Sequence, residues 1–138
     1  MANTLRLEIV TPELKAYSDD VEFVVLPGVE GEMGIYPMHV PLMTQIKPGE
    51  LVVTKNGQRT HLAVGEGFVE VTQTRVSVLT DMAITEEAID EGAAEAAVKR
   101  AQEAMARPDL GGEESAAVQA ALTKSLAQLH VKRRRRGI

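Results

Sequence analysis

Cysteine is absent from the 138 residues, and this removes a disulfide framework, a thiolate nucleophile and any cysteine-ligated zinc from consideration. Tryptophan is also missing and aromatics make up only 3% of the chain, so packing falls to Val, Leu, Ile and Ala. No run approaches the roughly 18 consecutive apolar residues of a membrane span, so membrane association is expected only through partners. The first ten residues set Arg6 and Glu8 among alternating apolar positions, a pattern that reads as no signal peptide.

What is present suits a β-rich unit followed by Ala-rich helices: 44% hydrophobic residues, punctuated by 11 Gly and 6 Pro. The length supports one main domain with a short appended element. The net charge of -5 is unevenly spread. Residues 1–84 hold 6 Lys and Arg against 11 acids, residues 85–114 hold 3 against 9, and residues 115–138 hold 6 against none. A purely basic end, Lys124 and then Lys132 to Arg136, thus follows an acidic stretch, as in a docking surface or a solvated tail.

From Leu5 to about Thr80 the pattern is that of short strands. Leu5, Leu7 and Ile9 alternate with Arg6 and Glu8; Val21, Phe23 and Val25 form a second alternating set; Val76 and Val78 form a third. Asn56-Gly57 inside Leu51 to Val64 predicts a hairpin with a type I′ turn, and the repeated short strands predict an antiparallel sandwich or barrel. At Thr85 the pattern changes. Thr85 is positioned to cap a helix, Glu86 and Glu87 suit its positive dipole end, and an Ala-rich run continues to Ala106 before Arg107-Pro108. A second helix is predicted from about Glu113 to Val131, with Val118, Leu122, Leu126 and Leu129 on one face. The first helix offers mainly Ala88, Ala93, Ala96, Ala97, Ala101 and Ala104. A buried methyl adds far less than the roughly 1.5–3 kcal/mol of a buried Leu or Ile, so the hairpin is expected to be helical yet weakly docked.

Motifs for chemistry are missing. The three glycines of Gly28-Val29-Glu30-Gly31-Glu32-Met33-Gly34 are spaced as neither a dinucleotide fingerprint nor a P-loop, and two acids among them would repel phosphate. His39, His61 and His130 fall at no metal-ligand spacing, and no serine sits in a nucleophile elbow. Neither an enzyme nor a metal site is expected. Lys132 to Arg136 could attract nucleic acid or acidic lipid, but no aromatics interleave with it to stack bases, so an acidic protein surface is the expected partner and nucleic acid is not.

One family fits these residues. The segment Leu26 to Leu42, with its Gly-Ile-x-Pro-x-His-x-Pro-Leu core, is similar to the loop and strand shared by F-type ATP synthase epsilon subunits. Gly65 to Val71 followed by Val76 to Asp81 resembles that family's later strand pair, and Leu126-Ala127-Gln128-Leu129 its second-helix ending.

The resemblance implies an α+β chain. A ten-stranded antiparallel β-sandwich over residues 1–84 would bind the gamma subunit and rest on the c-ring, and a regulatory two-helix hairpin would occupy residues 85–138. It further implies a noncatalytic rotor subunit of the central stalk, peripheral on the cytoplasmic face of the bacterial plasma membrane. Its hairpin either folds on the sandwich or extends along gamma to the alpha and beta subunits, blocking ATP hydrolysis. Glu30, Glu32, Met33 and His39 are then the expected c-ring contacts. Lys124, Lys132, Arg133, Arg134, Arg135 and Arg136 are the expected inhibitory contacts with the catalytic head. Some members bind ATP through Ile/Leu-Asp-x-x-Arg-Ala and a later Arg; here Asp90 and Arg100 match, but Ala93 replaces the first arginine and a bidentate phosphate donor is lost. Asp90 and Arg100 therefore read as helix-surface residues, and no cofactor is expected. An ATP-sensing module and an adaptor with a nucleic-acid- or lipid-binding basic tail are the rival readings.

Overall fold

The structure, a computed structural model, describes residues 3–134. Ten strands come first: β1 (Leu5–Val10), β2 (Lys15–Val21), β3 (Phe23–Gly28), β4 (Gly31–Ile35), β5 (Leu42–Ile46), β6 (Gly49–Lys55), β7 (Gln58–Val64), β8 (Gly67–Val71), β9 (Arg75–Thr80) and β10 (Ala83–Thr85). A 3-10 turn (Glu86–Ala88) leads to α1 (Glu91–Met105) and α2 (Gly112–Arg134). Hydrogen bonds link the strands in the order β10-β7-β6-β3-β5-β8-β9-β1-β2, with β4 paired to β3. The result is the ten-stranded sandwich expected, followed by two helices. Among the described residues every pairing is antiparallel except that of β1 with β9, where Leu7 lies opposite Val76 and Ile9 opposite Val78 in parallel register.

One core fills the sandwich. Each strand from β1 to β9 contributes to it, through residues such as Leu7, Ile9, Leu26, Ile35, Leu51, Leu62, Val69 and Val78. The expected β6–β7 hairpin forms with Lys55 opposite Gln58, and the two turn residues take the positive φ that the Asn-Gly pair tolerates, 53° at Asn56 and 76° at Gly57.

The second alternating set has a different phase from that expected. Val21 is buried, but it is Val24 and Leu26 that follow it inward, while Phe23 and Val25 are only half-buried. The chain leaves β1, the partner of β2, at Glu22 and takes up β6 as the partner of β3, with Phe23 opposite Thr54. This corner shifts the alternation by one residue, and an unbroken period of two cannot represent it.

Thr85 does not cap the first helix. Paired with Leu62 at the end of β10, it stays extended (φ -70°, ψ 153°) and its side chain makes no capping bond. The cap of α1 is Asp90, whose carboxylate accepts the Ala93 N–H at 3.0 Å. Helix α2 lies against β6 and β7, and α1 packs on α2. Ala94 and Ala101, seven residues apart, are the buried positions of α1. In α2 the buried positions are Ser125, Ala127, Leu129 and Val131, whereas Leu126, expected on the apolar face, is 45% exposed. A helix packed on two sides buries a broader face than one hydrophobic stripe predicts.

Candidate functional site: an acidic loop end, an open sheet face and a docked hairpin

The β3–β4 hairpin turns through Val29 and Glu30 into Gly31, whose φ of 129° suits glycine, and sets Glu30 and Glu32 in solvent. Met33, opposite Leu26, is half-buried and packs on the sandwich core. Glu30, Glu32 and Met33 line one hollow of about 310 Å³ together with Leu42 and Thr44. His39 is not part of its lining; it stands half-buried in the segment before β5, its Nδ1 2.7 Å from the Val40 carbonyl oxygen.

The sheet formed by β5, β8 and β9 has an uncovered outer face. Its inward residues, Ile46, Val69, Val71, Val76 and Val78, are in the core. Yet the alternate positions carry Met43 (68% exposed), Phe68 (52%) and Leu79 (58%). Phe68 lies directly opposite Leu79 on β9 and opposite Gln45 on β5. Tyr36, Met38 and Val40, all exposed, extend apolar surface into the segment before β5, and Tyr36 stacks on Phe23 with ring centroids 4.2 Å apart. Sequence reasoning assigned none of these residues to a contact surface. The available signal was Phe68-Val69 and Val78-Leu79, where apolar residues fall on both phases of a strand, as when both faces are covered.

The hairpin is docked on the other side. Val131 and Ile89 close over Ala63 in a small buried cluster flanked by Met82 and Ile84. Around it the basic residues find acceptors within the chain. Lys124 lies 3.7 Å from Asp81, and the Lys132 ammonium donates to the Glu86 carbonyl oxygen at 3.0 Å. Arg133 donates to Glu91 at 2.8 Å and also to Glu95, both on α1. Arg134 pairs with Glu50 of β6, whose side chain is only 7% exposed and whose second oxygen lies 2.8 Å from Nδ1 of His61. Arg135 and Arg136 lie outside the described residues. Asp90 is engaged as the α1 cap, Arg100 is exposed further along the same helix, and Ala93 offers no cation beside them. Among the described residues no group of three His, Asp or Glu side chains is placed to hold a metal ion. No helix among them is long and apolar enough to cross a membrane.

Such surfaces define a subunit that works through contacts with other proteins. The beta-sandwich domain of the ATP synthase delta/epsilon chain matches residues 4–86 and the long alpha-helix domain of the same chain matches residues 87–133, so the chain belongs to the ATP synthase delta/epsilon chain family. It is a noncatalytic subunit. The chain is 43% identical over 129 residues to the ATP synthase epsilon chain of Laribacter hongkongensis, covering 92% of this chain and 91% of that one. It is 47% identical over 103 residues to that of Desulforamulus reducens (75% and 78%), and 42% identical over 132 residues to that of Dehalococcoides mccartyi (96% and 94%). Its fold is shared by a chain in the OSCP/F1/c-ring structure of Euglena gracilis mitochondrial ATP synthase, with a TM-score of 0.76, 23% identity, and 90% of this chain and 78% of that one covered. A chain of the central stalk/c-ring structure from Tetrahymena thermophila mitochondrial ATP synthase also shares it, with a TM-score of 0.57, 9% identity and 95% of both chains covered.

Proposed function

We propose that this epsilon chain is a rotor component of the central stalk of a proton-translocating F-type ATP synthase, peripheral on the cytoplasmic face of a bacterial plasma membrane. In this reading gamma binds the outer face of β5, β8 and β9, and the c-ring meets the acidic loop end at Glu30, Glu32, Met33 and His39. The hairpin restrains ATP hydrolysis when it leaves the sandwich and reaches the alpha and beta subunits.

The observation that carries the reading is the apolar outer face, where Met43, Phe68 and Leu79 stand uncovered on a sheet whose other face lines the core. Such a patch on a rigid support marks a protein contact, and burying a side chain of this size contributes about 1.5–3 kcal/mol. The hairpin supports the regulatory part, because its apolar contact with the sandwich is small and its basic residues hold acids. Those ion pairs also weigh against a tail reserved for nucleic acid or lipid phosphate. With Asp90 engaged as a cap and Ala93 in place of an arginine, ATP gains no further support.

Replacing Phe68 with Asp tests the assignment, since an exposed side chain can change without disturbing the core. Gamma capture by the purified variant should fall at least about tenfold while its melting temperature stays within a few degrees of the parent. Undiminished gamma capture would move the contact elsewhere.

A further inference from the structure

We infer that Glu50 is the buried receptor for the end of α2, and that the Arg134–Glu50–His61 chain is the latch that keeps the hairpin docked. This rests on the reading that the hairpin undocks, and it names what holds it down.

The cations of α2 do not act alike. Arg133 reaches Glu91 and Glu95, both on α1, so its pairs lie within the hairpin and travel with it. Lys124 and Asp81 are a third to nearly half exposed and 3.7 Å apart, a geometry that solvent screens. Lys132 meets a backbone carbonyl. Arg134, although its own side chain is 55% exposed, reaches a carboxylate that is buried, with 7% of its side chain exposed.

Glu50 lies opposite Ala63 in the β6–β7 ladder, and Ala63 forms the floor of the docking cluster under Val131. The carboxylate therefore sits on the surface that α2 covers. With α2 away, water solvates Glu50; with α2 down, one oxygen has His61 at 2.8 Å and the other depends on Arg134. A carboxylate desolvated without its cation opposes docking, whereas a neutral amide in the same place opposes it far less. The carboxylate thus makes docking conditional on arginine at this position, and His61 fixes the orientation in which it waits.

The test uses the full chain. Since it contains no cysteine, introduced cysteines at exposed Gln58 and Gln119 take spin labels uniquely, and the distance between labels reports docked and undocked populations. In Arg134→Ala the docked-to-undocked ratio should fall about tenfold, and in Arg134→Ala combined with Glu50→Gln most of that loss should be recovered. Val131→Asp, which puts a charge into the apolar cluster, serves as the opening control. If it opens the hairpin while Arg134→Ala leaves the ratio within about twofold of the parent, the latch is refuted and undocking stands. A double variant as open as Arg134→Ala alone also refutes it. If even Val131→Asp stays docked, undocking itself fails and the latch fails with it.

Discussion

In the sandwich, nine successive strands each send Leu, Ile or Val into one core; the hairpin meets the sandwich through Val131 and Ile89 over Ala63, ringed by ion pairs. Both contacts are complete, but they respond to different perturbations. A core of interlocking aliphatic side chains admits no partial opening, because losing one strand exposes the rest. A contact of a few apolar groups and several charges has no such interdependence, so the hairpin is expected to open as a unit while the sandwich stays folded. Helix formation and helix docking are separate properties: an Ala-rich sequence favours α1 and α2 as helices while adding little apolar surface to hold them on the sandwich.

The largest effect that could break this comparison comes from removing the hairpin altogether. A chain ending at Thr85 should lose the helical circular dichroism and keep a cooperatively melting β signal, since β10 and the whole core remain. A noncooperative melt would make the hairpin part of the core. A smaller effect separates the two contacts within the full chain. Leu51→Ala in the core should cost about 2–5 kcal/mol of global stability. Val131→Ala should cost about 1 kcal/mol and speed amide exchange in β6, β7 and α2 alone. Equal losses from both would mean one cooperative unit.

The smallest expected effect concerns pH. The Lys55 ammonium, 2.5 Å from Asp19, holds that carboxyl below the ordinary carboxylate range, with the Asp20 N–H assisting. A carboxyl lowered by folding adds stability at neutral pH, and this is lost as pH falls through its folded-state value, below about 4. The melting-temperature gap between the parent and Asp19→Asn should therefore narrow between about pH 7 and about pH 3. The pair is some two-fifths exposed, so the gap is small from the outset. A constant gap would mean that the charge of Asp19 contributes nothing.

Local signals account for what could be read from the residues in order. Leu5, Leu7 and Ile9 alternate because β1 has one buried face, and Asn56-Gly57 turns because only such a pair takes two positive φ angles cheaply. The errors arise where a distant partner decides. Glu22 marks a corner only because β3 pairs with β6; Thr85 is held extended by β7; Leu126 is exposed because the docked surface is set by sheet and α1 together. The basic end was visible as a run of charge. That Arg134 would meet Glu50, far back along the chain, had no local signature. Nor did the open face, since an exposed Phe68 and a buried one have the same spelling.

The parallel pairing of β1 with β9 carries a consequence for how the chain is made. β1 leaves the ribosome well ahead of its neighbour at Arg75–Thr80, which is synthesised some seventy residues later, after most of the other strands. Until then only β2 can satisfy one edge of β1, and the other edge is open. Closing so long a loop is slow, because its entropy must be given up before the contacts form. An unpaired edge rich in Leu and Ile is also the surface on which nascent chains associate wrongly. The sandwich, packed around one core once folded, is during synthesis the part of the chain most open to wrong pairing, and the arrival of β9 ends that interval.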